Sequence, residues 1–317
     1  MKLSAITIFC YLSLISFGAL KMFAFAPTYE GLKSQGMVHN LSEKALQKKF
    51  IETSAGTIAY YETSGNVGPL VLIHGNSCSK EYMIKQLDGL GLHYKMIALD
   101  LPGHGESSNA LKPTEQYTLT GYAHLVAEVI QKLALGKVIV VGWSLGGHIA
   151  FEIMAYYPEL LQGVLIASSA PFTPSPQGLQ EAYLPTYSTS LGSKLEPFTL
   201  EDVKAYITQG IIDFERYPLL AQASIRAHGL ARATMVNAVL AGEGVDEKQV
   251  VETSPIPLGI IIGAQEHAIN NEYVKKLQYA HCIMMETLPG GHDCQWSHAE
   301  QFNKLVDKFA QEVRQDL

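Results

Sequence analysis

One short segment of the sequence combines a serine with the glycines that a sharp turn between a strand and a helix requires. Residues 140–147 read VVGWSLGG, which places Ser144 between Gly142 and Gly146 after an apolar run. A serine at the apex of such a turn has an exposed hydroxyl and is followed by a free backbone amide at a helix N-terminus. The segment therefore predicts a nucleophilic serine. An ordinary serine in a tight turn would need neither the strand before it nor the helical stretch HIAFEIMAYYPE after it.

A serine nucleophile also needs hydrogen-bond donors for the oxyanion that forms when it attacks a carbonyl group. The amide of Leu145 follows the serine directly. The segment LIHGNS leaves another predicted strand at the same edge of the sheet, so the backbone amide of Asn76 is the second candidate donor. Leu145 and Asn76 therefore form the predicted oxyanion hole.

The serine hydroxyl is a poor nucleophile at neutral pH unless a general base takes its proton. Of the 11 histidines, His292 lies in LPGGHDCQW directly after the last predicted strand, where Gly290 and Gly291 give its loop freedom to reach the serine. Other histidines lie at the wrong end of a strand or on neighbouring helices: His281, His148 and His298. The sequence therefore predicts His292 as the base.

The segment around this histidine also carries residue types that bind zinc, namely His292, Asp293, Cys294 and His298. Their spacing matches no common zinc pattern, and the serine chemistry already accounts for His292. We therefore predict neither a metal ion nor another cofactor.

A carboxylate that orients the histidine completes such a site, and it commonly follows the strand before the histidine's own strand. The stretch IIIGAQEHAINN occupies this position, and Glu266 is its only carboxylate. Asp293 adjoins His292 in sequence, which is poor geometry for orienting the ring. Glu266 is therefore the predicted third member, with a solvated charge in a turn as the alternative reading.

These side chains need a scaffold that brings the ends of several strands together. Short β-branched runs alternate with longer stretches of helical period, which is typical of a mostly parallel sheet flanked by helices. The strand candidates are GPLVLIHG, YKMIALDLPG, KVIVVGWS, LQGVLIASS, PLGIIIGA and HCIMMETLPG. Their continuous apolarity predicts burial on both faces. The preceding pair KFIETSAG and TIAYYETSG predicts an antiparallel hairpin at the edge.

The sequence predicts an α/β fold with its core over residues 49–170 and 254–317 and an inserted helical cap over residues 171–253. In the cap region the strand pattern stops, and helical segments such as TLEDVKAYITQGI replace it. An excursion of this length between consecutive strands is typical of a functional insertion over one edge of a sheet.

The N-terminal residues 1–26 predict export. A lysine, an apolar stretch and the small-residue sequence Ala24-Phe25-Ala26 match a secretory signal peptide. The stretch is also about as long as a bilayer-spanning helix, so an uncleaved membrane anchor is the alternative. Residues 27–48 are a predicted tether. The expected location is periplasmic or secreted, or membrane-anchored if the leader is retained.

The charge balance argues against a nucleic-acid partner. The chain has 23 Lys and Arg against 30 Asp and Glu, a net charge of -7, and no run rich in Lys or Arg. A phosphate backbone would therefore meet no basic surface. The expected partner is a small-molecule ester or lactone, with membrane contact only through an N-terminal anchor.

Ser144, Glu266 and His292 in this chain order, with HGNS, DLPGHGES and GWSLGG, resemble the α/β-hydrolase fold superfamily. Within it, LIHGNS, YTLTGYA, GWSLGGHIA and YYPE are most similar to the metal-independent N-acyl homoserine lactone hydrolases. The resemblance implies a serine hydrolase that opens the lactone ring of bacterial signals, a quorum-quenching role. It also implies that Asn76 and Trp143 line the substrate site, while apolar and tyrosine side chains of the cap hold the acyl chain.

Two other functions stay open at this point. A broad-specificity carboxylesterase is the alternative activity, because the cap shows no such similarity and caps select substrates. A non-catalytic ligand-binding protein of the same fold is the alternative of a different class.

Overall fold

The computed structural model describes residues 47–187, 189–208, 212, 214 and 217–315. The predicted leader or anchor lies outside these residues, as does the predicted tether apart from residues 47 and 48. No helix in the described part has the length and apolarity needed to cross a membrane.

The described residues form an eight-stranded sheet with the order β1-β2-β4-β3-β5-β6-β7-β8. The strands are β1 (Gln47–Thr53), β2 (Gly56–Glu62), β3 (Val67–Ile73), β4 (Tyr94–Leu99), β5 (Val138–Trp143), β6 (Leu161–Ala167), β7 (Leu258–Gly263) and β8 (Cys282–Leu288). β2 pairs antiparallel with β1 and β4, and the other neighbours pair in parallel. The mostly parallel sheet and the edge hairpin are confirmed.

Apolar side chains of the central strands project from both faces of the sheet, because the side chains of successive strand residues point in opposite directions. Val140 and Val164 pack into the core on one face of the sheet, while Val141 and Leu165 pack into the core on the other. Helices cover both faces, so the central strands are buried as predicted.

The last strand departs from the predicted burial. Among the described strands, β8 has a neighbour on one side only, and its side chains range from buried to exposed, with Met285 37% exposed. The continuous apolarity of HCIMMETLPG led us to predict burial on both faces of this strand. That prediction is wrong, because an edge strand is covered less completely than a central one.

The helices that cover the sheet lie between its strands in chain order or follow its last strand. Before and after the cap region they are Ile84–Leu90, Pro113–Gln116, Leu119–Lys132, Leu145–Tyr156, Asn271–Lys276, Cys294–Ser297 and Ala299–Gln315, with 3₁₀ turns at Lys80–Met83 and Pro158–Leu160. We call Leu145–Tyr156, which begins directly after Ser144, the elbow helix.

In the part that the structure describes, the segment between β6 and β7 contains helices and no strand of the sheet. Its described helices are Pro176–Ala182, Thr189–Gly192, Leu200–Val203, Pro218–Arg226, Gly229–Leu240 and Glu247–Thr253, with a π-helical turn at Lys204–Thr208. We call this segment the cap. It leaves the sheet at the carboxyl end of β6, which is the edge that also holds Ser144, and the chain then returns to the amino end of β7.

Candidate active site

Ser144 lies at the apex of the turn between β5 and the elbow helix, as the sequence predicts. Its backbone has a φ of 52°, a left-handed conformation that non-glycine residues rarely adopt. Gly146 makes the turn possible, because a Cβ there would lie 2.2 Å from the carbonyl oxygen of Ile73. The amide of Ser144 donates to the carbonyl of Ala167 on the neighbouring strand, with an N–O distance of 2.9 Å. The hydrogen bond to Ala167 and the close approach of Gly146 to Ile73 thereby hold the strained backbone of Ser144 in place.

His292 reaches the serine from the loop after β8. Its Nε2 lies 2.9 Å from the Oγ of Ser144. The indole Nε1–H of Trp143 donates to the carbonyl oxygen of His292 over 2.7 Å and fixes the backbone of this loop. The histidine is thus positioned by the residue that precedes the serine.

Glu266 approaches the other side of the same ring. Its Oε1 and Oε2 lie 3.0 Å and 3.1 Å from the Nδ1 of His292. The backbone amides of His267 and Ala268 each donate to Oε1 over 2.9 Å. The Glu266 side chain is 1% exposed, so it is not a solvated turn charge.

The charges of this pair support each other. Burial alone raises the pKa of Glu266, but its attraction to His292 and their hydrogen bond outweigh burial and lower the pKa to about 2. Burial alone lowers the pKa of His292, yet the same interaction with Glu266 leaves that pKa raised above 6.5. Glu266 therefore stays ionised and directs the Nδ1 proton of His292 toward itself, which leaves Nε2 free to accept the serine proton.

The residues of the two predicted oxyanion donors, Asn76 and Leu145, line one cavity together with Ser144. Leu145 is the first residue of the elbow helix, so its amide has no acceptor within the helix. In the described part of the chain, neither this amide nor that of Asn76 donates to a protein acceptor. Ser77, which follows Asn76, has a φ of 59° and donates its amide to the Nε2 of His104 over 3.3 Å. This hydrogen bond fixes the backbone of the turn that follows β3 and contains Asn76.

The side chain of Asn76 is already engaged. Its Nδ2 donates to the carbonyl of Gly192 over 3.1 Å and to the hydroxyl of Tyr206 over 3.0 Å. Both partners belong to the cap. Asn76 therefore connects the cap to the turn that carries the predicted oxyanion donor.

Two cavities, each of about 530 Å³ including space open to solvent, meet at Ser144. Asn76, Ser144, Tyr187 and Tyr206 line both cavities. The first, which we call the histidine cavity, is further lined by His292, His267, Trp143, Thr186 and Ile207 among others. The second, which we call the apolar cavity, is further lined by Leu145, Phe172, Leu179, Met235 and Val239 among others.

The structure thus brings Ser144, His292, Glu266, Asn76 and Leu145 together in one place. Trp143, the other predicted substrate contact, lines the histidine cavity but is only 2% exposed. Because its indole N–H is already bonded to the His292 carbonyl, a substrate can meet the face of the ring but not its donor.

Sequence reasoning missed a second histidine beside the serine. His148 was set aside as a residue of the elbow helix, yet it lines the apolar cavity together with Tyr183. Its position four residues after Ser144 is a signal that could have found it, because residues at this spacing share one face of a helix. No sequence signal marks Glu247, whose two carboxylate oxygens lie 3.0 Å and 2.9 Å from the Nδ1 of His148.

The zinc-type residues near the last strand do not gather into a site. Within the described residues, no group of three or more His, Cys, Asp or Glu side chains is arranged to hold a metal ion. His292 instead contacts Ser144 and Glu266 through its two ring nitrogens.

Comparisons with known proteins agree with this architecture. The family profile described as the alpha/beta hydrolase fold matches residues 68–299. The crystal structure of N-acyl homoserine lactonase AidH complexed with N-butanoyl homoserine has a TM-score of 0.78 and 29% identity, covering 84% of this chain and 97% of that one.

More distant relatives include esterases. The pimeloyl-(acyl-carrier protein) methyl ester esterase of Yersinia enterocolitica is 26% identical, over 77% of this chain and 93% of that protein. An esterase from Thermogutta terrifontis has a TM-score of 0.64 at 19% identity, covering 84% of this chain and 99% of that one, a likeness in fold alone.

Proposed function

We propose, from the premise that the chain belongs to the α/β-hydrolase fold family, that it is a serine hydrolase that cleaves a carboxylic ester or lactone. The observation that carries the proposal is the contact chain from Ser144 through His292 to Glu266, with both hydrogen-bond steps at or near 3 Å. A hydroxyl, an imidazole and an ionised carboxylate in this order are what nucleophilic acyl transfer requires.

In the acylation step, the Oγ of Ser144 attacks the carbonyl carbon while the Nε2 of His292 accepts the hydroxyl proton. The carbonyl electrons move to oxygen, and the backbone amides of Asn76 and Leu145 stabilise this oxyanion. When the oxyanion collapses, the bond from carbon to the leaving oxygen breaks, and the leaving alkoxide takes the proton from His292. The products are an alcohol and an acyl-serine ester; for a lactone, the alcohol remains attached to the acyl group.

In the deacylation step, His292 accepts a proton from water as the water oxygen attacks the acyl carbon. The backbone amides of Asn76 and Leu145 also stabilise this second oxyanion. Its collapse releases a carboxylic acid and returns the proton from His292 to the oxygen of Ser144. Glu266 stabilises the imidazolium in both steps and does not itself transfer a proton.

The substrate that we propose is an N-acyl homoserine lactone. The structural likeness to a lactonase of this specificity covers most of both chains. The two cavities also suit such a molecule, because the more polar histidine cavity and the apolar cavity meet at the serine. A broad carboxylesterase is the second candidate, supported by the esterase among the curated relatives.

The test is a product analysis by mass spectrometry on a chain-length series of N-acyl homoserine lactones beside simple aryl and alkyl esters. We expect ring-opened N-acyl homoserine to form faster than any plain ester is hydrolysed at the preferred chain length. Faster hydrolysis of plain esters at every chain length would assign the carboxylesterase instead. Stoichiometric uptake without product would identify a binding protein.

Ser144→Ala is the control for the chemistry. It should retain the far-ultraviolet circular dichroism spectrum of the fold and lose turnover by about 10⁴-fold or more. Ser54→Ala, which removes an exposed serine in the turn between β1 and β2, should leave turnover unchanged. Retained activity in Ser144→Ala would contradict the proposed mechanism.

A further inference from the structure

A histidine other than the base lines the histidine cavity. His267 follows Glu266 directly, and its ring centroid lies 5.9 Å from that of His292. Its backbone is held on both sides, because its amide donates to the Oε1 of Glu266 over 2.9 Å and its carbonyl oxygen accepts from the hydroxyl of Thr186 over 2.5 Å. The side chain is partly buried and lines the cavity. The proposed mechanism gives this ring no role.

The ring nitrogens of His267 have no hydrogen-bond partner among the described residues. Every other polar side chain that lines this cavity in the described part of the chain has one: Asn76, Cys78, Trp143, Ser144, Thr186, Tyr187, Tyr206 and His292. His267 is therefore the polar side chain of the cavity whose hydrogen-bonding atoms are all left for a ligand.

The leaving oxygen of a substrate is released in this same cavity. It takes its proton from the Nε2 of His292 in the acylation step, and His292 lines the histidine cavity but not the apolar cavity. Because the rings of His292 and His267 lie only 5.9 Å apart, an oxygen released at the first can move to the second without leaving the cavity.

A lactone differs from an open-chain ester in what happens to this oxygen. When the ring opens, the freed hydroxyl stays attached to the acyl group and can attack the acyl carbon again. Its proton then passes to His292, the bond from the acyl carbon to the Oγ of Ser144 breaks, and the Oγ takes the proton, which regenerates the lactone. A well-oriented tethered nucleophile is equivalent to about 10⁵ to 10⁸ M of the free group, far above the concentration of water. Net hydrolysis therefore requires that the hydroxyl be kept away from His292.

We propose that His267 binds this freed hydroxyl group and holds it away from His292 while water attacks the acyl carbon. A hydroxyl group both donates and accepts a hydrogen bond, so the contact forms with either ring nitrogen in either tautomer. Burial and repulsion by His292 lower the pKa of His267, so the ring offers one donor and one acceptor at neutral pH. The inference rests on the proposed function and names a residue that suits the site to lactones.

Two substrates whose acyl parts differ only in that hydroxyl test this role. N-Hexanoyl homoserine lactone releases a hydroxyl that stays attached, whereas the methyl ester of N-hexanoyl-2-aminobutyric acid releases methanol, which departs. Substrate consumption is followed by chromatography and mass spectrometry, and kcat/KM is measured for each compound. The lactone is also measured with hydroxylamine, which displaces the acyl group from Ser144 as a hydroxamic acid. The rate with Ser144→Ala is subtracted as the uncatalysed background.

His267→Phe and His267→Leu both remove the ring nitrogens. We expect each variant to lower kcat/KM for the lactone about tenfold, the scale of one good hydrogen bond, while kcat/KM for the methyl ester stays within about twofold. Hydroxylamine should restore lactone consumption by the variants toward the native rate, because it traps the acyl group before the hydroxyl returns. It should leave the native rate unchanged.

The matched control is His281→Leu. His281 is an exposed histidine before β8, and its Nδ1 lies 2.7 Å from the carbonyl oxygen of Pro255. This variant should match the native protein with both substrates, with and without hydroxylamine.

An equal loss for both substrates in the His267 variants would overturn the inference, because the ring would then act in steps common to all esters. An unchanged lactone rate, or a loss that hydroxylamine does not restore, would overturn it as well. If the native protein hydrolyses the methyl ester and opens no lactone, the inference fails and the serine hydrolase stands. If it hydrolyses neither, the proposed function itself fails.

Discussion

At the scale of single residues, Glu266 raises the pKa of His292 through two short contacts. Its sequence position after β7 made it the predicted acid, because neighbouring strands of a parallel sheet end at one edge. The sequence could not show that its side chain is buried, nor that two backbone amides hold one of its oxygens. Those features depend on how the loop folds back over itself.

Glu266→Gln tests this residue. The amide oxygen of Gln can still accept from the amides of His267 and Ala268, so we expect the melting temperature to change little. It cannot stabilise the imidazolium, and kcat/KM should fall by about 10³ to 10⁴. Glu272→Gln, at an exposed carboxylate on the helix Asn271–Lys276 that follows this loop, is the matched control and should keep full activity. An equal effect of the two variants would contradict the role of Glu266.

The pH dependence of activity follows from the same pair. The base must be neutral, and attraction to Glu266 raises the pKa of His292 above 6.5 despite burial. A raised pKa means that the inactive imidazolium persists to higher pH, so kcat/KM should rise through an apparent pKa above 6.5 between about pH 5 and pH 9. In Glu266→Gln the burial effect remains without the attraction. The residual activity should then rise at lower pH, and an unchanged midpoint would contradict this account.

At the scale of elements, the turn of β5 into the elbow helix was predictable because its glycines and apolar strand are local features. The attachment of the cap was not. Arg232, on helix Gly229–Leu240, is fully buried and donates to the carbonyls of Lys194, Glu196 and Ala227. It also donates to the Oγ of Ser77 beside the predicted oxyanion turn. One guanidinium therefore joins two parts of the cap to the core.

Arg232→Lys should destabilise the protein by about 2 to 4 kcal/mol, because an ammonium cannot reproduce the planar set of donors and leaves carbonyls unpaired. Denaturant unfolding measures this change. The matched control is Arg226→Lys at an exposed arginine that donates to the carbonyl of Ser107. It should cost below about 1 kcal/mol. Equal stabilities of the two variants would show that Arg232 does not hold the cap.

At the scale of the whole molecule, the segment DLPGHGES organises a buried ion cluster between the sheet and the turn after β3. The ammonium of Lys80 contacts the carboxylates of Asp100, Glu81 and Glu106 at 2.8 Å each. Both Lys80 and Asp100 are fully buried, and Asp100 also accepts from the backbone amides of Lys80 and Glu106. The cluster joins distant segments of the core.

Lys80→Met should destabilise the fold by about 3 to 5 kcal/mol, since it leaves the carboxylate of Asp100 buried without its cation. Chemical denaturation measures this loss. Lys48→Met, which removes an exposed partner of the same Glu106, should cost below about 1 kcal/mol. A small effect of Lys80→Met would mean that water or another group compensates Asp100.

The sequence by itself determined the features that depend on near neighbours along the chain. The alternation of apolar runs and helical stretches predicted the sheet, and local glycines predicted the turn at Ser144. Chain order was enough to select His292 and Glu266, because parallel strands align their carboxyl ends at one edge.

Only the tertiary structure decided which distant groups meet and how deeply they are buried. The partial exposure of β8 follows from its place at the edge of the sheet. Glu247 reaches His148 from 99 positions away, and the other nitrogen of the same ring contacts the hydroxyl of Tyr183. Contacts of this kind depend on the packing of the cap against the core, and no local pattern of residue types encodes that packing.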